Sequence, residues 1–202
     1  LGDYESAKAD FDQAISMDPK NYDRLIEIYE ALAAHGYREV GQEYLQNVLD
    51  TAKQLDAYDS GRIYYYLGEY QKAYLALDEA RDKGGADSYL YLGRAYAATG
   101  DYNYASSVYN NYLSKQGPNA EIYNELGLCE MAKKEYQNAL AAFQAGKQIE
   151  GNSLMQTLCF NEIVAYEYLE DYQQAEVLMN AYLQNYPDDQ TAIREQQFLS
   201  TR

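Results

Sequence analysis

One pattern of residues returns along the chain at intervals of about 34 residues. Each copy has an aromatic residue, a small residue three positions later, and a bulky residue four positions after that. The clear copies begin at Tyr4, Tyr70, Tyr102, Tyr136 and Tyr172, and a weaker copy begins at Arg38. A short repeated unit cannot bury its apolar face alone, so we expect the copies to stack in series.

The spacing within each copy predicts a helix, because residues at i, i+3 and i+7 share one helical face. A second helical segment precedes each copy and carries a residue of its own at a fixed position: Gly61, Gly93 and Gly127, with Tyr29 and Ile163 in the corresponding places. Glycine is costly inside a helix, so its recurrence indicates close approach between two helices. Each repeat is therefore predicted to be a helical hairpin.

Turn residues separate the predicted helices. Within the hairpins stand Gly2-Asp3, His35-Gly36, Leu67-Gly68, Gly100-Asp101 and Glu170-Asp171, where glycine suits a left-handed cap and aspartate an N-cap. No segment alternates strictly between apolar and polar residues, as a half-buried strand would. We predict helix pairs at 22–35 and 38–53, 54–66 and 70–83, 87–99 and 102–115, 119–132 and 136–149, and 153–168 and 172–185, followed by a capping helix over 191–202.

The repeats resemble tetratricopeptide repeats. The likeness is clearest in Leu92-Gly93-Arg94-Ala95-Tyr96 followed by Gly100-Asp101-Tyr102-Asn103-Tyr104-Ala105, and in Gly2 to Ala7 continued by Phe11, Ala14 and Pro19. The resemblance implies an all-α fold, a right-handed α-solenoid of stacked antiparallel helix pairs. It implies one array over residues 1–202, with the second helix of repeat 1 at about 1–20, repeats 2–6 at about 21–188 and a cap at about 189–202. Arg38 in place of an aromatic residue, and Lys134 and Glu170 in place of turn glycines, depart from the family pattern.

The first copy starts at the turn between two helices. We therefore expect its first helix, and further repeats or an export signal, upstream of Leu1. The cytoplasm is one expected location, and the cell envelope is the other if an export or lipidation signal lies upstream.

The charge balance restricts the classes of partner. Sixteen Lys and Arg residues against 32 Asp and Glu give a formal charge of −16. Such a field repels phosphate backbones and anionic headgroups, so binding to nucleic acid or to a membrane surface is not expected. No apolar run approaches the length of a membrane span, so we expect no membrane insertion of these residues either. The field favours a neutral or basic protein segment instead.

Catalytic chemistry finds little support in the sequence. His35 is the single histidine and stands at a helix end, where a capping role is expected. Without a second histidine or a paired nucleophile, a catalytic triad cannot be assembled. No acidic group has the spacing of a calcium loop, and Asp188-Asp189 is interpreted as a helix cap. Cys129 and Cys159 are expected to be buried free thiols. We predict no catalytic residue, no cofactor and no metal site.

The resemblance implies a concave groove lined by the first helix of each hairpin, which holds an extended peptide or a partner helix. Arg62 and Arg94 occupy equivalent places, so we expect them on neighbouring helices about 10 Å apart. Flanked by tyrosine rings, two such guanidinium groups suit a carboxylate or a peptide carbonyl. The predicted groove consists of Tyr58, Arg62, Tyr65, Tyr66, Leu90, Tyr91, Arg94, Asn124, Phe160 and Asn161.

The two arginines also have a structural interpretation. Asp59 precedes Arg62 by three residues, and Glu30 holds the equivalent place one hairpin earlier. Arg94 has Glu125 within expected reach. Pairs of this kind neutralise charge between repeats without binding a ligand, and the sequence leaves both interpretations open.

The sequence therefore predicts a non-enzymatic scaffold that binds a protein or peptide in its groove. Two alternatives belong to other classes. One is a regulatory receptor domain that closes around a signalling peptide. The other is an envelope or surface assembly factor with an N-terminal anchor.

Overall fold

Residues 4–202 are described by a computed structural model, with side chains from Ser6 onward, and the predicted turn at Gly2-Asp3 lies outside them. The described residues form twelve α-helices and no strand. They fall into two compact units, residues 1–91 and 92–202. Helices of the first unit are α1 (Tyr4–Met17), α2 (Tyr22–Ala34), α3 (Arg38–Thr51), α4 (Ala57–Tyr66) and α5 (Tyr70–Asp82), and the unit ends within α6 (Ser88–Ala98).

The second unit begins in α6 and contains six further helices: α7 (Tyr102–Gln116), α8 (Ala120–Ala132), α9 (Tyr136–Lys147), α10 (Met155–Tyr168), α11 (Tyr172–Asn185) and α12 (Gln190–Leu199). The predicted helix pairs are confirmed. The largest difference among them lies at α4, which begins at Ala57 rather than at residue 54 because Asp56 caps it by accepting a hydrogen bond from the backbone N–H of Asp59. The prediction of one continuous array over residues 1–202 stays a prediction.

The turns inside the hairpins share one hydrogen-bonding pattern. After α6, Gly100 takes a φ of 83°, and the N–H of Asp101 donates to the carbonyl of Tyr96 at 3.0 Å. Lys134 and Glu170 take the same left-handed conformation, with φ of 64° and 62°. The positions that depart from the family's glycine therefore keep the turn geometry, although a side chain is strained there.

Close contact between a small residue and a large side chain joins the two helices of each hairpin. A Cβ atom added to Gly93 would lie 2.3 Å from Cε1 of Tyr109, and one added to Gly127 would lie 2.3 Å from Cε1 of Phe143. Both large side chains are completely buried. Glycine is required at these two positions because the neighbouring ring occupies the space of a side chain.

The second hairpin reverses this arrangement. Here the ring of Tyr29 belongs to the first helix, and the glycine, Gly41, belongs to the second. A Cβ atom on Gly41 would lie 2.9 Å from Cδ2 of Tyr29. The exchange keeps one small and one large partner at the helix crossing, and Arg38, which replaces the aromatic residue of the other copies, donates to the hydroxyl group of Tyr29.

The last helix covers the apolar side of α11. Ala192 and Leu199 of α12 are buried with Ile163, Met179 and other residues of one core cluster. Asp189 caps α12 by accepting hydrogen bonds from the N–H groups of Thr191 and Ala192, as predicted.

We expect Gly93→Ala to destabilise the second unit by about 1–3 kcal/mol, because the added methyl group overlaps the ring of Tyr109. Urea unfolding measures the change. Ala98→Leu, an exposed change in the same helix, is the control and should have little effect. If Tyr109→Leu did not reduce the cost of Gly93→Ala in the double variant, this ring contact would not be the cause.

We expect the stability of the second unit to fall as the pH rises through about 7. Burial and the nearby carboxyl group of Glu195 raise the pKa of Glu167 from 4.5 to about 7. Because the pKa is raised in the folded state, the protonated carboxyl group favours folding. This stabilisation is complete below pH 4.5 and is lost as the pH rises through about 7. Because half of the side chain is solvated, Glu167→Gln should add only about 1 kcal/mol above that range.

Chemical unfolding across this pH range tests the effect of Glu167→Gln, with the exposed Glu176→Gln as control. Glu167→Gln should flatten the pH dependence and have no effect below pH 4.5. An equal stabilisation at all pH values would contradict the assignment to Glu167.

Candidate functional site

Four tyrosines form one cluster on the first unit, which we call the tyrosine face: Tyr58, Tyr65 and Tyr66 of α4, and Tyr91 of α6. All four are half-buried. The ring of Tyr91 lies edge-on to Tyr58, Tyr65 and Tyr66, with centroid distances of 6.3, 5.8 and 6.0 Å. Edge-to-face contacts of this kind hold aromatic rings in fixed positions. The cluster therefore presents a preformed aromatic surface.

Arg62 lies beneath the tyrosine face and is only 7% exposed. Its guanidinium group donates to Asp23 and to Asp59, each at 2.5 Å. The same group lies 4.4 Å from the ring centroid of Tyr58 and 5.9 Å from that of Tyr91. Since both terminal nitrogens already have a carboxylate, the geometry favours a structural role for Arg62 over capture of a ligand carboxylate.

Glu30 does not pair with Arg62, as one interpretation of the sequence expected. Its carboxylate accepts a hydrogen bond of 2.6 Å from the hydroxyl group of Tyr66. Tyr29 of α2 lies against the same tyrosine, with ring centroids 5.2 Å apart. The residues facing α4 from α2 thus extend the tyrosine face, while the charge of Arg62 is neutralised from Asp23, nearer the start of the same helix.

A cavity of about 360 Å³ opens beside these residues. Tyr29, Glu30, Tyr65 and Tyr66 line it, together with Arg38, whose guanidinium group donates to the hydroxyl group of Tyr29 at 3.2 Å. Ligand pockets in proteins occupy roughly 300–1,000 Å³. The space suits one or two side chains of a bound segment.

The hydroxyl groups of Tyr58 and Tyr66 stay protonated at neutral pH. Burial raises the pKa of Tyr58 to about 12. Burial and the hydrogen bond to Glu30 also raise the pKa of Tyr66. The hydroxyl group of Tyr58 can therefore donate a hydrogen bond to a carbonyl or carboxylate oxygen, as that of Tyr66 already does to Glu30.

In the second unit, Arg94 of α6 contacts two acids of α8. Its guanidinium group donates to Glu125 at 2.7 Å and to Glu121 at 3.0 Å. The expected reach of Glu125 is confirmed, and Glu121 is an additional partner. The expected spacing between Arg62 and Arg94 stays a prediction.

The other predicted residues of the second unit lie on α8 and α10. The amide of Asn161 donates to the side-chain carbonyl of Asn124 at 2.9 Å. Phe160 and Asn161 line a cavity of about 280 Å³, in which the ring of Phe160 lies 5.8 Å from that of Tyr182. Asn124 is almost completely buried, so Phe160 and Asn161 are the accessible members of this group.

Residues with reactive side chains are engaged in structural contacts. His35 donates through Nδ1 to the carbonyl of Ala31 at 2.8 Å, in agreement with the expected capping role. Burial raises the pKa of the Cys129 thiol to about 12. Cys159, expected to be buried, is only half-buried because it lines a cavity of about 330 Å³ with Lys147 and Glu162.

Among the described residues, no group of three or more His, Cys, Asp or Glu side chains has the arrangement of a metal site. None of their helices combines the length and the hydrophobicity that a transmembrane span needs.

The structure brings Tyr58, Tyr65, Tyr66 and Tyr91 together as predicted neighbours, and Leu90 is half-buried beside them on α6. Sequence reasoning missed the contribution of α2, namely Asp23, Tyr29 and Glu30. The available signal was the tyrosine that stands at position 29, where other hairpins carry glycine.

Comparison with protein families gives consistent matches. Two family models of the tetratricopeptide repeat match the chain. One matches residues 58–105 and 92–152, and the other matches residues 1–21. Together these ranges cover more than half of the chain. A search of the curated proteins finds no match.

Several solved structures share the fold. A thermophilic tetratricopeptide repeat protein of Thermus thermophilus is 16% identical over 90% of this chain and 100% of its own, with a TM-score of 0.68. YrrB, a repeat protein with an unusual peptide-binding site, is 18% identical over 93% of this chain and 97% of its own, with a TM-score of 0.60. PilF of Pseudomonas aeruginosa is 17% identical over 98% of this chain and 90% of its own, with a TM-score of 0.58.

We expect Arg62→Met to destabilise the first unit by about 1–3 kcal/mol, because it leaves the half-buried carboxylate of Asp59 without its partner. Urea unfolding measures the loss. Lys83→Met is the control, since Lys83 and its partner Glu79 are both exposed and such pairs contribute less than about 1 kcal/mol. Equal, small losses in both variants would show that the Arg62 pairs are not structural.

Proposed function

Since this chain belongs to the tetratricopeptide repeat family, whose members are all-α solenoids of stacked helix pairs, we propose that it is a non-enzymatic scaffold that binds a segment of a partner protein on the tyrosine face. The observation that carries the proposal is the preformed cluster of half-buried rings beside an open cavity. Tyr65 also contacts Tyr70 of α5, and Tyr66 packs against the core of the unit, so the fold holds these rings in place. The half-buried rings still expose part of their surface, which a partner can contact.

The fixed geometry of the face lowers the cost of binding. Ring contacts and the hydrogen bond from Tyr66 to Glu30 already restrict the side chains before a partner arrives. A partner then loses less free energy to side-chain ordering than it would on a mobile surface. Tyrosine also offers large contact area with few rotatable bonds, as in antibody paratopes.

The charges around the face select the chemistry of the segment. Glu30 accepts hydrogen bonds at the cavity, and Asp23 is largely exposed although it pairs with Arg62. Tyrosine rings attract cations through their π faces. A segment with a Lys or Arg side chain next to apolar residues fits this combination, and the acidic chain steers it during encounter.

We assign the second unit a supporting role. Phe160 offers an apolar ring and Asn161 an amide beside the smaller cavity. Asparagine side chains suit the backbone of an extended peptide. The NH2 group of Asn161 donates to Asn124, and the side-chain carbonyl oxygen of Asn161 can still accept a hydrogen bond.

The unusual peptide-binding site of YrrB is a property of that protein. It supports the general idea that a protein of this fold can bind a peptide. The receptor and envelope-assembly alternatives stay predictions.

A charge-graded array of short synthetic peptides tests the function. We expect basic and neutral peptides with apolar residues to bind the wild-type chain, and acidic ones to bind the tyrosine face least. The variants Tyr65→Leu and Tyr66→Leu should each reduce affinity by about tenfold, since each removes part of the aromatic surface. Isothermal titration of the best peptide measures the loss.

Tyr168→Leu is the matched control, because Tyr168 is 58% exposed and lies outside the face. Circular dichroism establishes that all variants are folded. Wild-type affinity in both face variants, or an equal loss in the control, would overturn the assignment of the site.

A further inference from the structure

A second and larger cavity lies elsewhere on the first unit. It has a volume of about 630 Å³ and is formed by the ends of α1 and α3 and the loops that follow them. Ile15, Tyr22 and Val48 contribute its apolar wall and pack against the core of the unit. The volume lies within the range of roughly 300–1,000 Å³ that is typical of ligand pockets.

Two lysines, Lys20 and Lys53, stand at this cavity. Both are exposed, and neither has a salt-bridge or side-chain hydrogen-bond partner among the described side chains. Every other Lys and Arg residue of the unit has an acceptor or a ring contact: Lys8, Arg24, Arg38, Arg62, Lys72, Arg81 and Lys83.

The position of these lysines is informative because acids outnumber bases two to one in the chain, 32 against 16. In such a chain most lysines meet a carboxylate nearby. Two that do not, placed at the same apolar cavity, leave two ammonium groups there to pair with a charged ligand. An apolar ligand that also carries negative charge would satisfy both features.

The polar residues at the cavity indicate a peptide. Asn47 and Gln54 offer side-chain amides, which pair with both the N–H and the C=O groups of an extended backbone. The hydroxyl group of Thr51 is not available to a ligand as a donor, since it donates to the backbone carbonyl of Asn47 at 2.6 Å.

We infer that this cavity, the lysine pocket, binds a segment of a partner protein that presents an apolar side chain flanked by carboxylates. The apolar side chain fills the space beside Ile15 and Val48, and the carboxylates pair with Lys20 and Lys53. The lysine pocket and the tyrosine face then have opposite charge preferences. One chain would hold an acidic segment and a basic segment at separate sites.

Two matched synthetic peptides test the lysine pocket. One alternates glutamate with leucine, and the other has glutamine at every glutamate position. Fluorescence anisotropy should show that the glutamate peptide binds at least about tenfold more tightly, and that its affinity falls with salt. Equal affinity for the two peptides would overturn the proposal.

Charge-reversal variants locate the binding. Lys20→Glu with Lys53→Glu should abolish binding of the glutamate peptide. Lys83→Glu with Lys115→Glu changes the net charge equally at exposed positions outside the pocket and should leave most of the affinity. If both double variants lose affinity equally, the overall field and not the pocket is responsible.

Two further measurements complete the test. Thr51→Trp places a large ring at the mouth of the pocket and should block the peptide without altering the charge. Unchanged binding in this variant would contradict the site. Decanoate, a carboxylate with an alkyl chain, is the alternative ligand. If decanoate binds in a manner that depends on Lys20 and Lys53 while the peptide does not bind, the assignment to a protein segment is wrong.

Discussion

The contact between a helical glycine and a buried large side chain of the neighbouring helix determines how four of the hairpins pack, and in three of them that side chain is an aromatic ring. The ring of Tyr109 packs directly on Gly93, and the ring of Phe143 packs on Gly127. The helix backbones lie close because glycine has no side chain of its own. The second hairpin reaches a similar contact with the two roles exchanged between Tyr29 and Gly41. What recurs within this chain is one small and one large partner at the helix crossing. Which helix carries the ring can change without loss of the hairpin.

The exchange also shapes the proposed site, because it places the ring of Tyr29 on the helix that faces α4. There it meets Tyr66 and lines the cavity beside the tyrosine face. Asp23 and Asp59 neutralise Arg62 beneath the rings. In the proposed function, the rings and Glu30 contact the partner, while Lys20 and Lys53 line a different cavity.

The helices and their turns could be predicted because the repeat supplies several copies of one pattern. Even Lys134 and Glu170 were placed in the correct turns, although their left-handed conformation is unusual for residues with a side chain. The partners of the long side chains could not be predicted in the same way. The long side chain of Arg62 can reach acids at several positions along α2, and the repeat pattern does not indicate whether Asp23 or Glu30 is its partner. The lysine pocket was also missed, since its walls come from helix ends and loops, whose positions no repeat pattern specifies.

The central claim is that the tyrosines serve two separate purposes, packing within hairpins and binding at the tyrosine face. Nuclear magnetic resonance of chains with labelled tyrosine rings, titrated with a basic apolar peptide selected on the wild-type chain, tests this claim most directly. The account predicts that the ring signals of Tyr65, Tyr66 and Tyr91 shift on binding, while that of the completely buried Tyr109 stays unchanged. Shifts confined to tyrosines outside the face, with none at Tyr65, Tyr66 or Tyr91, would contradict it.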